Sequence, residues 1–415
     1  MRRACSTSGA TNSEEAIEAV SNPAVCASGR PDWRGNTAQR DREMRRILHV
    51  PEVAGSQIRY AVPMNPTAIE KPARRMPGLD GLRALAVIAV VWHHSHSGYA
   101  GLPISHNGFL GVDVFFVLSG FLITTLLLGE QSLTGTISLR NFYIRRSLRI
   151  FPLYYLVLAF LSVYFMLSGA TSNAVAFLRE LPWHASYTSN WVHLQSMMAI
   201  TWSLSTEEQF YLVWPPLLAW LGARSLWLLV VFLAVNQAVN FGELDAALAS
   251  IGIPFEALSI LQITFTPILL GVLLAFAIRF AAFRRLFKQL PAWAPFVACV
   301  VALALANVPG DLRGWPRLSF HLATSCVIAL VVLRPESGVV RALEWRPLAY
   351  VGTVSYGVYL LHKLVLYVVN RGLDAAALTA SEPLFVMGLL GTVGVAALSY
   401  RYFETPILNL KARFH

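Results

Sequence analysis

The chain has 415 residues, of which 55% are hydrophobic and only 13% charged, and its mean hydropathy is +0.53. An ordinary soluble domain is about a quarter charged, so this composition excludes a soluble globular protein and points to a membrane protein. The formal net charge of +10 would suit nucleic acid, but Lys and Arg gathered in cytoplasmic loops give the same excess; with so many apolar runs, no nucleic-acid partner is expected.

Taken in chain order, residues 1–76 are polar, rich in Ser, Asn, Glu and Arg, and without a sustained apolar run. They read as a disordered, basic cytoplasmic extension. No apolar stretch follows Arg2 and Arg3, so no signal peptide is expected. From there, apolar segments of spanning length recur at about 79–97, 109–128, 150–168, 203–221, 225–240, 254–278, 291–308, 319–333, 350–370 and 383–405. The expected fold is an all-α polytopic membrane protein of about ten transmembrane helices, with a short tail at 407–415. Cys5 and Cys26 fall in the extension and Cys299 and Cys326 in apolar segments, so no disulfide framework is expected. Nothing has the His/Cys spacing of a metal site.

Loop charge sets the expected orientation. With the N-terminus inside, the inner loops hold Arg140, Arg145, Arg146, Arg149, Arg224, Arg279, Arg284, Arg285, Lys288, Arg334, Arg341, Arg346, Lys411 and Arg413. The outer loops hold Arg179, Arg313, Arg317 and Arg371. Fourteen cations against four is a positive-inside bias, which puts both termini in the cytoplasm.

Ionisable groups inside spans are costly and usually functional. In "GLDGLRALAVIAVVWHHSH", Arg83 and His94 are close to three helical turns apart, hence on one face and about 16 Å from each other. His93 points elsewhere, and His96 and His106 read as interfacial or loop residues. Arg83 could snorkel to headgroups and His94 could be interfacial, or both could be functional. Asp113, near the outer end of the second span, could face His94 or simply favour a helix start. Ser119 and Gly120 read as small residues that allow close helix packing. Arg145, Arg146 and Arg149 precede the third span, where they suit an anionic phosphate or ordinary anchoring. Ser205 followed by Glu208 has the spacing of a capping box; Glu207 has no such explanation, and both acids are expected at the depth of His94. His362 and Lys363 lie inside the ninth span. Arg401 and Glu404 are spaced for a local ion pair.

Taken together, these motifs resemble the acyltransferase-3 family of integral membrane O-acyltransferases. The arginine–ten residues–histidine pattern of Arg83 and His94, then "GVDVFFVLSGFLIT", "RRSLRIFP" and "WSLSTEEQFYLVWP", occur in order, and "SYGVYLLH" and "SYRYFETP" resemble the closing motifs. The likeness covers about residues 77–406. The outer esterase-like domain often fused in the family is not expected in a sequence ending at 415. The resemblance implies an enzyme that moves an acyl group, with acetyl the expected one, from cytoplasmic acyl-CoA to a hydroxyl of a carbohydrate or glycolipid at the inner (plasma) membrane. It implies His94 as general base, supported by Glu207 or Glu208 and by Asp113. It implies Arg83, Arg146, Arg149 and Arg145 as ligands of the CoA phosphates, with His362, Ser205 and Trp202 behind them. No permanently bound cofactor or metal is implied. The competing reading is a transporter or flippase of a lipid-linked sugar, whose path the buried charges would line. Trp183, Trp191 and Trp202, in or bordering the loop at 169–202, suit either sugar stacking or an aromatic belt.

Overall fold

The structure, a computed structural model, describes residues 76–95, 107–169, 171–252, 255–308, 312–376 and 381–413. Apart from Met76, the expected disordered extension lies outside the described residues, as do His96 and His106.

Regular structure among the described residues is entirely helical. Helix α1 spans Leu79–Ser95, α2 Leu110–Thr134 and α3 Leu139–Leu167. Next come α4, Ser172–Ala185, and two 3-10 turns, Ser189–Trp191 and Met197–Thr201. Helices α5, Trp202–Leu221, and α6, Ser225–Asn240, follow. Then come α7, Phe255–Ala277, α8, Ala281–Gln289, α9, Ala294–Ala306, and α10, Trp315–Leu333. Helices α11, Arg346–Thr353, α12, Ser355–Ala375, and α13, Ser381–Ser399, lead to a π-turn at Tyr400–Glu404 and a short helix at Thr405–Asn409.

Each of the ten expected segments contains a helix, but five runs are long and apolar enough to cross a bilayer by themselves, or seven if each of two bent pairs crosses once. The shortfall has local causes. The fourth and fifth expected spans join into one apolar run, Met197–Asn240. The sixth turns by 98° between Phe265–Ala277 and Ala281–Gln289, and the ninth by 78° between α11 and α12. Helix α9 is a short apolar helix, and α1 is described over 17 residues. Large side chains cover the periphery: Trp220 is 81% and Trp227 75% exposed. A water-facing surface would be penalised for that, whereas lipid tails accept it.

Chain chemistry fixes the helix ends. The Ser138 hydroxyl accepts from the Asn141 amide and caps α3. Gly135, at φ 78°, takes the left-handed conformation that stops α2 and donates its N–H to the Gln131 carbonyl. The centre is made by α1, α2, α7 and α12. Gly120 of α2 and Gly271 of α7 each face the other helix's backbone, where a Cβ would strike the Ile268 or Val117 carbonyl. The expected close approach at Gly120 is therefore present, and it is reciprocal. Helix α1 packs on α2, α11, α12 and α13, so its polar residues face the interior.

Candidate active site

Two polar clusters meet in this core. The first is a pair of histidines. His94 Nδ1 lies 2.9 Å from the Val90 carbonyl and 3.2 Å from His362 Nε2. His362 is fully buried, and its own Nδ1 lies 2.5 Å from the Tyr359 carbonyl. A carbonyl can only accept, so each Nδ1 carries the proton. The unprotonated Nε2 of His362 then accepts from His94 Nδ1–H. That leaves the lone pair of His94 on Nε2, which has no hydrogen-bond partner among the described residues. His93 turns away, with its ring 5.7 Å from that of Phe109, as the helical spacing predicts.

The second cluster surrounds Glu207. Ser119 Oγ donates to Glu207 Oε1 at 2.7 Å and the Tyr211 hydroxyl to Oε2 at 3.0 Å. Ser119 thus does more than permit packing. The Arg146 guanidinium stands 5.0 Å from the Tyr211 ring centroid and 6.0 Å from that of Phe142, a cation–π arrangement. Glu208 Oε1 is buried with no hydrogen-bond partner. Arg83 pairs with Asp80 at 2.7 Å and lies within electrostatic reach of Arg149 and Arg146. Arg145 lies 3.7 Å from Glu130, and Arg149 is exposed.

Tyr359 joins the clusters. It sits one turn before His362, its hydroxyl donates to the Ile200 carbonyl at 2.9 Å, and Ser203 Oγ lies 2.6 Å from it. A line of polar groups therefore runs from the arginines through Glu207 and Tyr211, past Ser203 and Tyr359, to His362 and His94. Trp202 borders it, 6.0 Å from the Phe116 ring.

Several expectations need correction. Glu207 and Glu208 group with the arginines, not with His94: both lie within electrostatic reach of Arg146, and their helix packs on α2 at Ser119. Asp113 is not oriented on His94: it is 1% exposed and holds Arg317 through two hydrogen bonds (3.0 and 3.1 Å) and His321 Nε2 at 2.9 Å. The capping box does not form. Helix α5 starts at Trp202, which puts Ser205 inside it, and Ser205 Oγ pairs with Ser189 Oγ at 2.7 Å. That bond belongs to a buried network in which Ser189 meets Thr201 (3.2 Å) and Thr201 meets His184 Nδ1 (2.9 Å). Glu180, beside His184, accepts from the Gln195 amide at 2.6 Å. Burial would raise the Glu180 carboxyl, but hydrogen bonds from Ser196 and Gln195 hold it below the usual range. Burial also lowers His184, with Glu180 opposing. No Arg401–Glu404 ion pair is present among the described residues: Glu404 accepts from Ser399 Oγ at 3.2 Å, and Arg401 lies 5.5 Å from the Tyr402 ring.

Sequence reading missed Tyr211, Tyr359, Arg317 and His321. Tyr211 follows Glu207 by four residues, the helical neighbour spacing, and was detectable. Arg317 and His321 are more than 200 residues from Asp113, and no local pattern links them.

The sequence model of the acyltransferase-3 family, described as an acyltransferase domain, matches residues 76–401. Similar proteins include the peptidoglycan O-acetyltransferase OatA of Listeria monocytogenes, 31% identical over 375 residues, which are 80% of this chain and 56% of that protein. The O-acetyltransferase OatA of Staphylococcus aureus is 31% identical over 373 residues, 80% of this chain and 57% of that protein. The chain thus spans a little over half the length of these relatives. No solved structure matches it.

Proposed function

The chain belongs to the acyltransferase-3 family, and from that premise we propose that it is a membrane O-acetyltransferase moving an acetyl group from acetyl-CoA to a glycan hydroxyl, with a peptidoglycan-type acceptor favoured by the relatives' names. The arginine end of the polar line faces the cytoplasm and takes the donor phosphates on Arg83, Arg145, Arg146 and Arg149, since forked guanidinium donors match phosphate oxygens. The thioester lies along the line toward His94. The loop charges support this orientation, with ten crossings of the plasma membrane and both ends inside.

One observation carries the reading: the tautomer of His94 is fixed, with Nδ1–H engaged and the Nε2 lone pair unengaged. Nε2 takes the proton of the acceptor hydroxyl as its oxygen attacks the thioester carbonyl carbon. The C–S bond then breaks, and the CoA thiolate leaves and takes up the proton. His362 accepts from His94 Nδ1–H throughout and steadies the imidazolium. Glu207, held by Ser119 and Tyr211, balances the arginine charge; Glu208 offers an acceptor atom to the donor's amides. Asp113 stays outside this chemistry.

The test is transfer of radiolabelled acetyl from acetyl-CoA to a peptidoglycan acceptor by the purified protein in vesicles. His94→Ala is expected to lower the rate about 10²–10⁴-fold while the protein keeps its thermal stability. Full activity in that variant would remove His94 from the mechanism, and no transfer by the parent protein would reject the acyl-CoA reading.

A further inference from the structure

The C-terminal end of the chain, from the closing motif "SYRYFETP" to the turn beyond it, builds a wall of the arginine site. The α-helical ladder of α13 widens into the π-turn Tyr400–Glu404, a rare geometry frequent at functional sites. This π-turn, the short helix Thr405–Asn409 and the 3-10 turn Leu410–Arg413 all pack on α3, the helix of Arg145, Arg146 and Arg149. Tyr356 closes the same region, its hydroxyl donating to the Ile150 carbonyl at 2.7 Å. Lys411 lies half-buried on this wall.

The charges around Lys411 identify its partner. From α3 it faces Arg149, Arg146 and Arg145. The π-turn adds Arg401, exposed, and Glu404, buried and within electrostatic reach of Arg149. The Thr405–Asn409 helix adds no charge. Arg145 has Glu130, but Arg146, Arg149 and Lys411 make no ion pair among the described residues. Like charges repel, and Glu207 and Glu208 near Arg146 and Glu404 near Arg149 offset the cluster without pairing with Lys411, so an anion with several negative charges would stabilise the three cations together. Burial, then the three arginines, lower the Lys411 ammonium to about 8.

We infer that Lys411 is a phosphate ligand, closing with Arg146 and Arg149 a three-cation site for the nucleotide phosphates of the donor. The inference rests on the acyl-CoA reading above. An anionic lipid headgroup has the same phosphate chemistry, so the test separates the two. Bound phosphate favours the protonated lysine. Donor binding is therefore strongest below about pH 8 and weakens as pH rises through it.

The experiment measures the apparent KM for acetyl-CoA, and CoA binding by calorimetry, from pH 6.5 to 9 with the full chain in phosphatidylcholine nanodiscs. The parent protein should lose affinity above about pH 8. Lys411→Gln should raise KM about tenfold at pH 7 and flatten the pH profile. Lys411→Arg should bind the donor and keep doing so to pH 9, because guanidinium stays charged. An unchanged KM in Lys411→Gln, or an equal pH-dependent loss in Lys411→Arg, overturns the inference and leaves the acyl-CoA reading standing. So does a KM change only in nanodiscs containing phosphatidylglycerol, which assigns the site to lipid. A parent protein that neither binds CoA nor turns over acetyl-CoA rejects both.

Discussion

Asp113 shows how a prominent residue can be held by partners that no local pattern suggests. It stands in the most recognisable motif of the second span, yet its carboxylate is committed to Arg317 and His321, both buried. A buried carboxylate needs such partners because its desolvation is expensive. Arg317→Ala leaves that charge short of its main counter-ion and is expected to destabilise the protein by about 3–5 kcal/mol, read as a lowered thermal midpoint in detergent. The double variant Asp113→Asn/Arg317→Met removes both charges and should recover most of that loss. If the single variant is as stable as the parent, the triad is not holding α2 to α10. His94 is the contrasting case: its partners fix one nitrogen and leave the other available.

At the scale of elements, the crossing of α2 and α7 sets the site. Ser119, which holds Glu207, adjoins Gly120, where the two backbones touch. Gly120→Val would push a side chain into the Ile268 carbonyl and separate the helices. A cost of at least about 1–3 kcal/mol is expected, together with lost acetyl transfer, measured by thermal unfolding and by the vesicle assay. A stable variant with full activity would show that the crossing does not position Ser119. The segment 186–201 acts similarly. It lets α5 begin at Trp202, and its buried Ser189–Thr201–His184 network anchors it.

At the scale of the molecule, the two poles of α1 gain meaning only through the helices packed on it. The proposed direction of transfer, from cytoplasmic donor to outer acceptor, requires the arginine end to face the cytoplasm. Alkaline phosphatase fused after residue 413 is expected to be inactive, and fused between α9 and α10, at residue 313, active, since that enzyme matures only outside the cytoplasm. The reverse pattern would invert the path. The spans themselves were legible because hydrophobic length is a local property; their number was less so, because bends at Val354 and near residues 278–280 depend on what each helix packs against.

The sequence by itself determined that the protein is helical and membrane-embedded, that Arg83 and His94 share a helix face, and which family motifs it carries. Each is written in composition or in a spacing of a few residues. The tertiary structure alone decided which nitrogen of His94 is available, that Asp113 is bound to Arg317 and His321, and that Glu207 joins the arginines. It also brought Lys411 beside Arg146 and Arg149, more than 260 residues away in the chain. These depend on contacts between distant segments, and a side chain's charge and hydrogen bonds are set by whichever groups the packed helices bring within a few ångströms.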